Sequence, residues 1–566
     1  MAEAWRVRPA DDACARGLVA SIGMRGLTAR ILTARGFSSA ECVARFLSPR
    51  LSELRPPHGM ADLDRALDRI EQAVRGGEKV AVFGDYDVDG ITSAAILLQL
   101  LRSLGLLVVT RMARRSSGYG FSLGDATSFV EQGCTLVLTG DCGTSDHDSL
   151  ALCRSRGVDV IVIDHHHVPT GESPAYALLN SHRGDDAFPF KGLASCGVAF
   201  YLAAAVRSRL RAQGDSRADN LDPRSWLDLV ALGTIADLVP LIDENRILVA
   251  AGLRELSAMR RPGIAALATI AGISSGTLGT ADVSFRLAPR LNAAGRIGDA
   301  QLALDLLLAS NAAEASRLAT SLDDLNRERQ RIQERMWSEA MTAAEQHDGD
   351  PALVLGSEGW HQGVVGIVAA KLVEKYRKPV VIIGFDAGQG RGSARTLGGF
   401  DLYQALSQCQ DHLAAFGGHP MAAGVSLASD KLADFRAAFV TAARAHFALA
   451  PAAATMDVDA VASLSDLDMV QVEELERLAP FGNANHEPLI VVPGAVARST
   501  RVVGTSHLQL TLTQGAAVCE AIAFGMGDKD PGKGARLDVI GTAELDEFRG
   551  QRKIRLRLRH FMRSLS

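Results

Sequence analysis

The chain has 566 residues, 47% hydrophobic and 22% charged, with a formal net charge of −5, a globular composition with material for about three or four domains. No apolar run approaches the roughly 18 residues a bilayer span needs, and the start, MAEAWRVRPADDACARG, lacks the apolar core of a signal peptide, so the expected location is the cytoplasm, with no membrane partner. The eight cysteines form no C-x-x-C pair and read as reduced packing thiols, while the net charge leaves room for nucleic acid only at a local basic surface.

Residues 1–79 carry short amphipathic pieces such as ADLDRALDRIEQAV and are expected to be helical. From about 80 to 164, apolar runs (VAVFGD, LLVVTRMA, TLVLTGD, VDVIVID) alternate with helical patterns. That alternation predicts an α/β fold with a doubly wound parallel sheet, in which ligands gather at the carboxyl ends of the strands. Residues 303–346 hold Leu318, Leu322, Leu325, Ile332 and Met336 at helical spacing around DDLNRERQRIQER, which predicts a long solvated helix. A second, smaller α/β unit follows, with ALVLG and KPVVIIG as strands. After the Ala-rich ALAPAAAT comes a β-rich end, about 488–563. Its last strand, RKIRLRLRH, puts Ile554, Leu556 and Leu558 on one face and Lys553, Arg555, Arg557 and Arg559 on the other. Two readings fit that pattern: a small barrel whose cationic face follows a phosphate backbone, or a sheet edge protected by charge.

The chemistry concentrates where strands end. VAVFGDYDVDG empties into Asp85, Asp87 and Asp89, which share one side if the chain stays extended. Three like charges at one strand end are tolerable mainly when a cation neutralises them. The D-x-D-x-D-G spacing resembles a calcium loop, but the twelfth position holds Ile96 instead of a glutamate, which counts against that reading. Two further strand ends supply compatible ligands: Asp141 in LVLTGDCG, and Asp164 with His165, His166 and His167 in VIVIDHHH. A mixed carboxylate and imidazole set favours manganese or a similar divalent ion over calcium, with zinc possible. Asp237, stranded among apolar residues in ALGTIADLVPL, needs a partner and is a further candidate ligand.

In this order, DYDVDG, GDCG, DHH and ALGTIADLVPL resemble the DHH family of phosphoesterases. RLNAAGRI, WHQGVVGIVAAKLVEKYRKPVVII, GSAR and FGGHPMAAG are similar to the associated second domain of its RecJ branch. The resemblance spans nearly the whole chain and implies five segments: a helical segment 1–79, a DHH catalytic domain 80–302, a connecting helix 303–346, a DHH-associated domain 347–447, and an OB-fold-like barrel 448–566. It implies a single-stranded-DNA-specific exonuclease that works from the 5′ end and releases mononucleotides in recombination and repair. It assigns Asp87, Asp89, Asp141, His165 and Asp237 to two divalent ions, Mn2+ first and Mg2+ as the alternative, with Asp85 and His166 as ligands or as groups that orient them. A pair of ions can clamp a phosphodiester and acidify a bound water, so no protein nucleophile is needed. Arg114, ahead of GYG, and Ser393 and Arg395 in GSAR match a 5′-phosphate pocket, for which the guanidinium fork is suited. Asn292, Arg296 and His419 match positions that face nucleic acid. His361 matches another, though a capped helix start explains it equally well.

His167 has no firm counterpart in the family. Cys142 and Gly140 depart from the usual GDCG surroundings, as does Ser181 in LLNSHR. The resemblance further implies a monomer that meets single-stranded DNA, a single-stranded-DNA-binding protein and a helicase. Two alternatives keep the fold and change the role: a phosphodiesterase on short oligonucleotides or cyclic dinucleotides, and a catalytically silent DNA-binding scaffold. The presence of every assigned ligand argues against the scaffold.

Overall fold

Val80 to Phe83 are wholly buried because the strand they form is covered on both faces, as in parallel sheets generally. In the computed structural model, which describes residues 4–115, 118, 120–273, 276–449, 455–548 and 551–564, that strand is β1 (Lys79–Gly84). It is joined by β2 (Leu107–Met112), β3 (Leu136–Gly140), β4 (Asp159–Ile163) and β5 (Ala177–Leu179). The order is β2-β1-β3-β4-β5, all parallel. The chain leaves β1 for one side, then returns to the other for β3, so the topological switch point lies at the carboxyl end of β1.

Helices α1 (Val88–Ser103), α2 (Ser195–Ala212) and α3 (Leu227–Ala236) follow in chain order, then α4 (Ala288–Ile297) and α5 (Ala312–Glu345). With 34 residues α5 is about 51 Å long at 1.5 Å per residue. Its buried stripe is Ala315, Leu318, Ala319, Leu322, Met336, Ala340 and Ala344. The single helix expected over 303–346 is two: a separate helix, Gln301–Leu308, ends before Asn311, whose side chain caps α5 by accepting from the Glu314 N–H at 2.9 Å. Beyond α5 lies a mixed sheet of β6 (Leu353–Glu358), β7 (Val380–Asp386), β8 (Gln389–Arg395), β9 (Ala415–His419) and β10 (Ala422–Ala428), ordered β9-β10-β8-β7-β6. All these elements belong to one compact unit, Pro56–Asp237 with Gly252–Ala452.

The other unit gathers Met1–Arg55, Leu238–Ala251 and Ala453–Ser566. Here β11 (Ile490–Val503), β12 (His507–Gln514), β13 (Ala517–Ala523), β14 (Arg536–Phe548) and β15 (Gln551–Arg563) close into a barrel, since β14 pairs with both β15 and β11. Leu508, Leu510, Leu512, Leu556 and Leu558 fill it, and Leu18, Leu27, Ile31 and Leu32 from the first helices join the same core. Two expectations need correction. The amino-terminal segment is not purely helical: Ala4–Val7 is a strand, paired in parallel with Thr455–Val458. Four residues are too few to show a period, and their partner is far away in sequence. The second correction concerns β15, which is no sheet edge, being paired on both sides. Two of the four cations on its face are ion-paired: Arg555 meets Glu544 at 2.8 Å and Asp546 at 3.0 Å, and Arg557 pairs with Glu544 at 3.0 Å and with Glu487. The ALAPAAAT stretch lies mostly outside the described residues.

Candidate metal centre

Three aspartates leave the sheet on one rung. The N–H of Asp85 donates to Gly140 O at 3.1 Å, that of Asp141 to Ile163 O at 2.9 Å, and that of Asp164 to Leu179 O at 3.1 Å. Each acid is the residue that follows its strand and is held by the next strand over. Sheet register alone therefore gathers carboxylates from β1, β3 and β4. Asp141 also has a left-handed backbone, φ 64°, a conformation aspartate adopts more readily than most residues.

The remaining donors come from helix ends. Asp87 caps α1, its Oδ1 accepting from the Gly90 N–H at 3.1 Å. Asp89, in the first turn of α1, points at the start of α2: its two oxygens accept from the N–H groups of Ser195 (2.7 Å) and Cys196 (2.9 Å). Backbone donors at a helix N-terminus favour a negative charge there. The Ser195 hydroxyl donates to Asp141 Oδ1 at 3.0 Å. Asp237 closes α3 and reaches His165, whose Nε2 lies 3.4 Å from Asp237 Oδ2 and 3.4 Å from Asp141 Oδ1.

Donor atoms fall into three overlapping groups, each spanning no more than 4.8 Å: Asp85, Asp87 and Asp141; Asp141, His165 and His166; Asp89, His165 and Asp237. The electrostatics of this cluster call for a cation. Burial pushes Asp85 well above the usual carboxylate range, with Asp87 adding repulsion, and burial, Asp89 and Asp87 do the same to Asp141. Asp237 is raised by burial and by Asp89 and Asp87. Asp85 Oδ1, His165 Nε2 and Asp237 Oδ2 are buried without a hydrogen-bond partner. Buried polar atoms are rarely left so, and oxygen and imidazole donors at this spacing fit divalent ions.

Asp164 plays a different part. Burial would raise it, but the hydrogen bond and charge of His166 outweigh that and hold it below the ordinary range. Its Oδ1 meets His166 Nδ1 at 2.8 Å and accepts from the backbone N–H groups of His165 and His166. For His166, burial opposes the charge, Asp164 more than compensates, and the imidazole rises to about 9. A carboxylate on one ring nitrogen orients the other, a common arrangement around metal-binding histidines. The Asn180 amide braces the same loop, donating to His166 O at 2.8 Å and to Thr144 Oγ1 at 3.1 Å.

From Asp85, Asp87 and His166 a cleft of about 790 Å³ extends past Arg115, Asn292 and Arg296 to Ser393 and Arg395. Arg296 donates to Gly363 O at 3.2 Å, and Arg395 to Ser393 Oγ at 2.7 Å and Ala394 O at 2.8 Å. Neither has an ion-pair partner among the described residues. Burial, with Arg115 and Arg329 nearby, lowers Arg296 to about 10, and burial lowers Arg395. Such desolvated cations are poised for an anion.

The structure does not bring all the expected residues to this cleft. Arg114 points outward, 69% exposed, and pairs with Asp299 at 3.2 Å. Its neighbour Arg115 faces in, with its guanidinium 4.1 Å from the Tyr86 ring centroid and its Nε donating to Gly295 O at 3.2 Å. Ser116, Ser117 and Tyr119 of the same motif lie outside the described residues. His419 is exposed at the end of β9. His361 accepts from the Gly363 N–H at 3.1 Å, in the turn ahead of the helix Val365–Tyr376, whose N-cap is Val364 with no side-chain cap. His167 is exposed beside the cluster, and Cys142 is buried with burial raising its thiol. Sequence reasoning passed over Ser195, Cys196, Thr144, Asn180 and Arg115. Four of these act through backbone or neutral polar groups that carry no motif, and only the second arginine of MARRSS offered a signal.

Helix α4 is fixed between the metal-site loop and the second sheet's domain by two close approaches. A Cβ on Gly295 would lie 2.1 Å from Tyr86 O, and one on Gly363 would lie 2.2 Å from Arg296 O.

Comparison with known proteins places this architecture. Residues 79–234 match the DHH family N-terminal domain, 349–445 the DHHA1 domain and 458–560 the RecJ OB domain. The single-stranded-DNA-specific exonuclease RecJ of Escherichia coli is 36% identical over 554 residues, 94% of each chain. The crystal structure of RecJ in complex with Mn2+ from Thermus thermophilus superposes with a TM-score of 0.85 at 30% identity, covering 100% of this chain and 80% of that one. The Mg2+ complex of the same protein gives 0.79 at 29% identity, with 100% and 79% covered. Identity and coverage of this extent, over all three domain types, show that the chain belongs to the RecJ family.

Proposed function

We propose that this protein is a single-stranded-DNA-specific exonuclease that hydrolyses phosphodiesters from a 5′ end and releases 5′-mononucleotides, in DNA recombination and repair. The observation that carries the reading is the join between a buried, partly unpartnered carboxylate and histidine cluster and a cleft lined by arginines without carboxylate partners. Two divalent ions, Mn2+ ahead of Mg2+, belong to Asp87, Asp89, Asp141, His165 and Asp237, with Asp85 completing the set. When bound, such ions neutralise the phosphate and acidify a water for attack at phosphorus.

The chain's own residues do the rest. Asp141 and His165 each sit in two of the three donor groups, and Ser195 holds Asp141 Oδ1 in place. Asp164 keeps His166 turned toward the cluster. Arg296, Arg395 and Ser393, with Arg115, receive phosphate oxygens of the strand, and the terminal 5′-phosphate falls to Ser393 and Arg395. Asn292 stands beside Arg296 for a sugar or base contact. His419 and Arg114, both exposed, are left for the outer parts of the strand. The closed barrel offers a second DNA surface away from the ion-paired part of β15. A single-stranded-DNA-binding protein and a helicase as partners, a monomeric state and a cytoplasmic location are part of the same proposal. Among the described residues no helix is long and apolar enough to cross a membrane.

The test is digestion of single-stranded oligonucleotides labelled at either end, with Mn2+ and with chelator, beside a duplex and a dinucleotide. Mononucleotides should appear from the 5′ end only, with metal, and the duplex should be spared. Asp87→Ala should abolish release while strand binding persists. Cleavage of the dinucleotide alone would move the protein to small substrates, and undiminished hydrolysis by Asp87→Ala would overturn the metal assignment.

A further inference from the structure

Phe285 is the most exposed large hydrophobic side chain among the described residues, at 78%. It lies in a single wide turn of π-helix, Val283–Leu287, immediately ahead of α4. One exposed apolar residue is ordinary in itself, but this one is held in place. Val283 and Leu287 on either side are buried. Arg286 is tied to Asp282 at 3.0 Å and to Ala271 O at 2.9 Å, and Arg290 to Asp323 at 2.9 Å and to Arg286 O at 2.6 Å. Four ties fix the backbone around an aromatic ring that packs on little of its own protein.

The direction of the ring follows from helical spacing. Along α4, Ala288, Leu291, Ala293, Ala294 and Gly295 are buried, and Arg290 and Ile297 are partly buried, as are the three positions Pro289, Asn292 and Arg296. Spacings of three and four put those three on one face. A π turn needs more than four residues per revolution, so Phe285, four before Pro289, falls on the same face. The stripe thus runs from Arg296 and Asn292, inside the cleft beside Asp87, outward to Phe285, about 16 Å away at 1.5 Å per residue. A cation and an amide at one end and an aromatic face at the other are the components with which proteins follow single strands, since every base has a face to stack. π turns are uncommon and tend to occur at functional sites.

We propose that Phe285 is a base-stacking residue of the substrate track, taking the face of a nucleobase a few nucleotides 3′ of the scissile bond. The inference rests on the exonuclease reading and extends it beyond the metal centre. The occupant is the substrate strand itself, because the stripe is continuous with the cleft that receives its end.

The experiment compares wild type, Phe285→Ala and Phe285→Trp with Mn2+ on 5′-phosphorylated single strands of increasing length, from a dinucleotide upward. The KM ratio of Phe285→Ala to wild type should be near one for strands too short to reach the ring. It should step up about 5- to 100-fold once they do, while Phe285→Trp keeps the wild-type profile. An abasic nucleotide moved along the strand should raise the wild-type KM at one position and have no effect there in Phe285→Ala. Equal KM at every length, or a loss as large on the dinucleotide as on long strands, would overturn the proposal. Wild type inactive on all strands would remove the exonuclease reading and this inference with it; an active wild type matched by Phe285→Ala would remove this inference alone.

Discussion

Gly295→Ala tests whether α4 positions the metal loop. In an isolated helix the change is favourable, since alanine is a better helix former than glycine by about 1 kcal/mol. Here the added Cβ would stand 2.1 Å from Tyr86 O, and 3.0 Å from Tyr86 C and Tyr86 Cβ, where ordinary contact begins at 3.4 Å. About 1.3 Å must be found, and both neighbours of Tyr86, Asp85 and Asp87, are candidate ligands. The helix has little freedom to shift, because Gly363 already lies against Arg296 O, one residue on. Overpacking of this kind costs about 1–3 kcal/mol, so the net change in stability is a loss of about 0–2 kcal/mol. The catalytic effect should be larger, since a displacement of about 1 Å at a reacting centre can cost about 100-fold.

The assay is Mn2+-supported release of mononucleotides from a 5′-phosphorylated single strand, with kcat and KM separated, alongside thermal unfolding with and without metal. The expected result is a fall in kcat of about 100-fold and a weaker response of the melting temperature to Mn2+. If Gly295→Ala melts higher than wild type and turns over at the wild-type rate, helix propensity has won. The loop would then not depend on this contact.

Asp141→Asn keeps a side chain that tolerates the left-handed backbone and removes one charge from a crowded site. Without metal it should melt a few degrees higher than wild type, as about 1 kcal/mol of relieved repulsion is worth about 2–4 °C. It should also lose both the Mn2+-induced shift and activity; a lower metal-free melting point would contradict the repulsion argument. Arg115→Ala should raise KM for a 5′-phosphorylated strand about 10-fold or more, a charged hydrogen bond being worth about 1.5–3 kcal/mol. Arg114→Ala, which breaks only an exposed pair, should stay within about twofold, and the opposite ranking would return the role to Arg114. Arg557→Gln should lower stability without changing the salt dependence of single-strand binding, because its charge is spent on Glu544 and Glu487. A slope reduced by about 0.7 would show a phosphate contact instead. Burial raises Asp146 to about 6, against the hydrogen bond it accepts from the Phe121 N–H. From about pH 4 to 6 the folded state keeps a proton the unfolded state has lost, so stability falls as pH rises through that window and the penalty is complete above it. Asp146→Asn should flatten the slope there in pH-dependent unfolding; an unchanged slope would assign it to other groups.

The parallel sheet and the metal cluster were legible because their signals are local and repeat. Four apolar runs of strand length announced β1 to β4, and three of them ended in aspartate. Once those strands lie parallel and in register, Asp85, Asp141 and Asp164 must share a rung. The distinction between their roles was not legible in the residues themselves; only the family resemblance assigned Asp141 to the ions and left Asp164 out. Asp164 differs from Asp141 only in what surrounds it: the His166 ring and backbone donors for one, other carboxylates for the other. The pairing of Ala4–Val7 with Thr455–Val458 left no trace in periodicity, and a heptad-like run gave no sign that Asn311 would begin a new helix.

The basic strand shows where reading charge from sequence fails. Lys553, Arg555, Arg557 and Arg559 alternate as a phosphate-binding strand would, and the alternation is real. Closing the barrel, however, sets β14 beside β15 in a register that puts Glu544 opposite Arg555 and beside Arg557. A cation's availability depends on its cross-strand neighbour, which lies in another part of the chain. The same reasoning separates Arg114 from Arg115. The chain leaves its strand at Met112 and turns at Arg115, so Arg114 meets Asp299 in solvent and Arg115 meets Tyr86 in the cleft. In both cases net charge is conserved between sequence and structure, and what the fold changes is which arginines meet a carboxylate: Arg115, Arg296 and Arg395, which line the cleft that begins at the metal cluster, have no ion pair among the described residues.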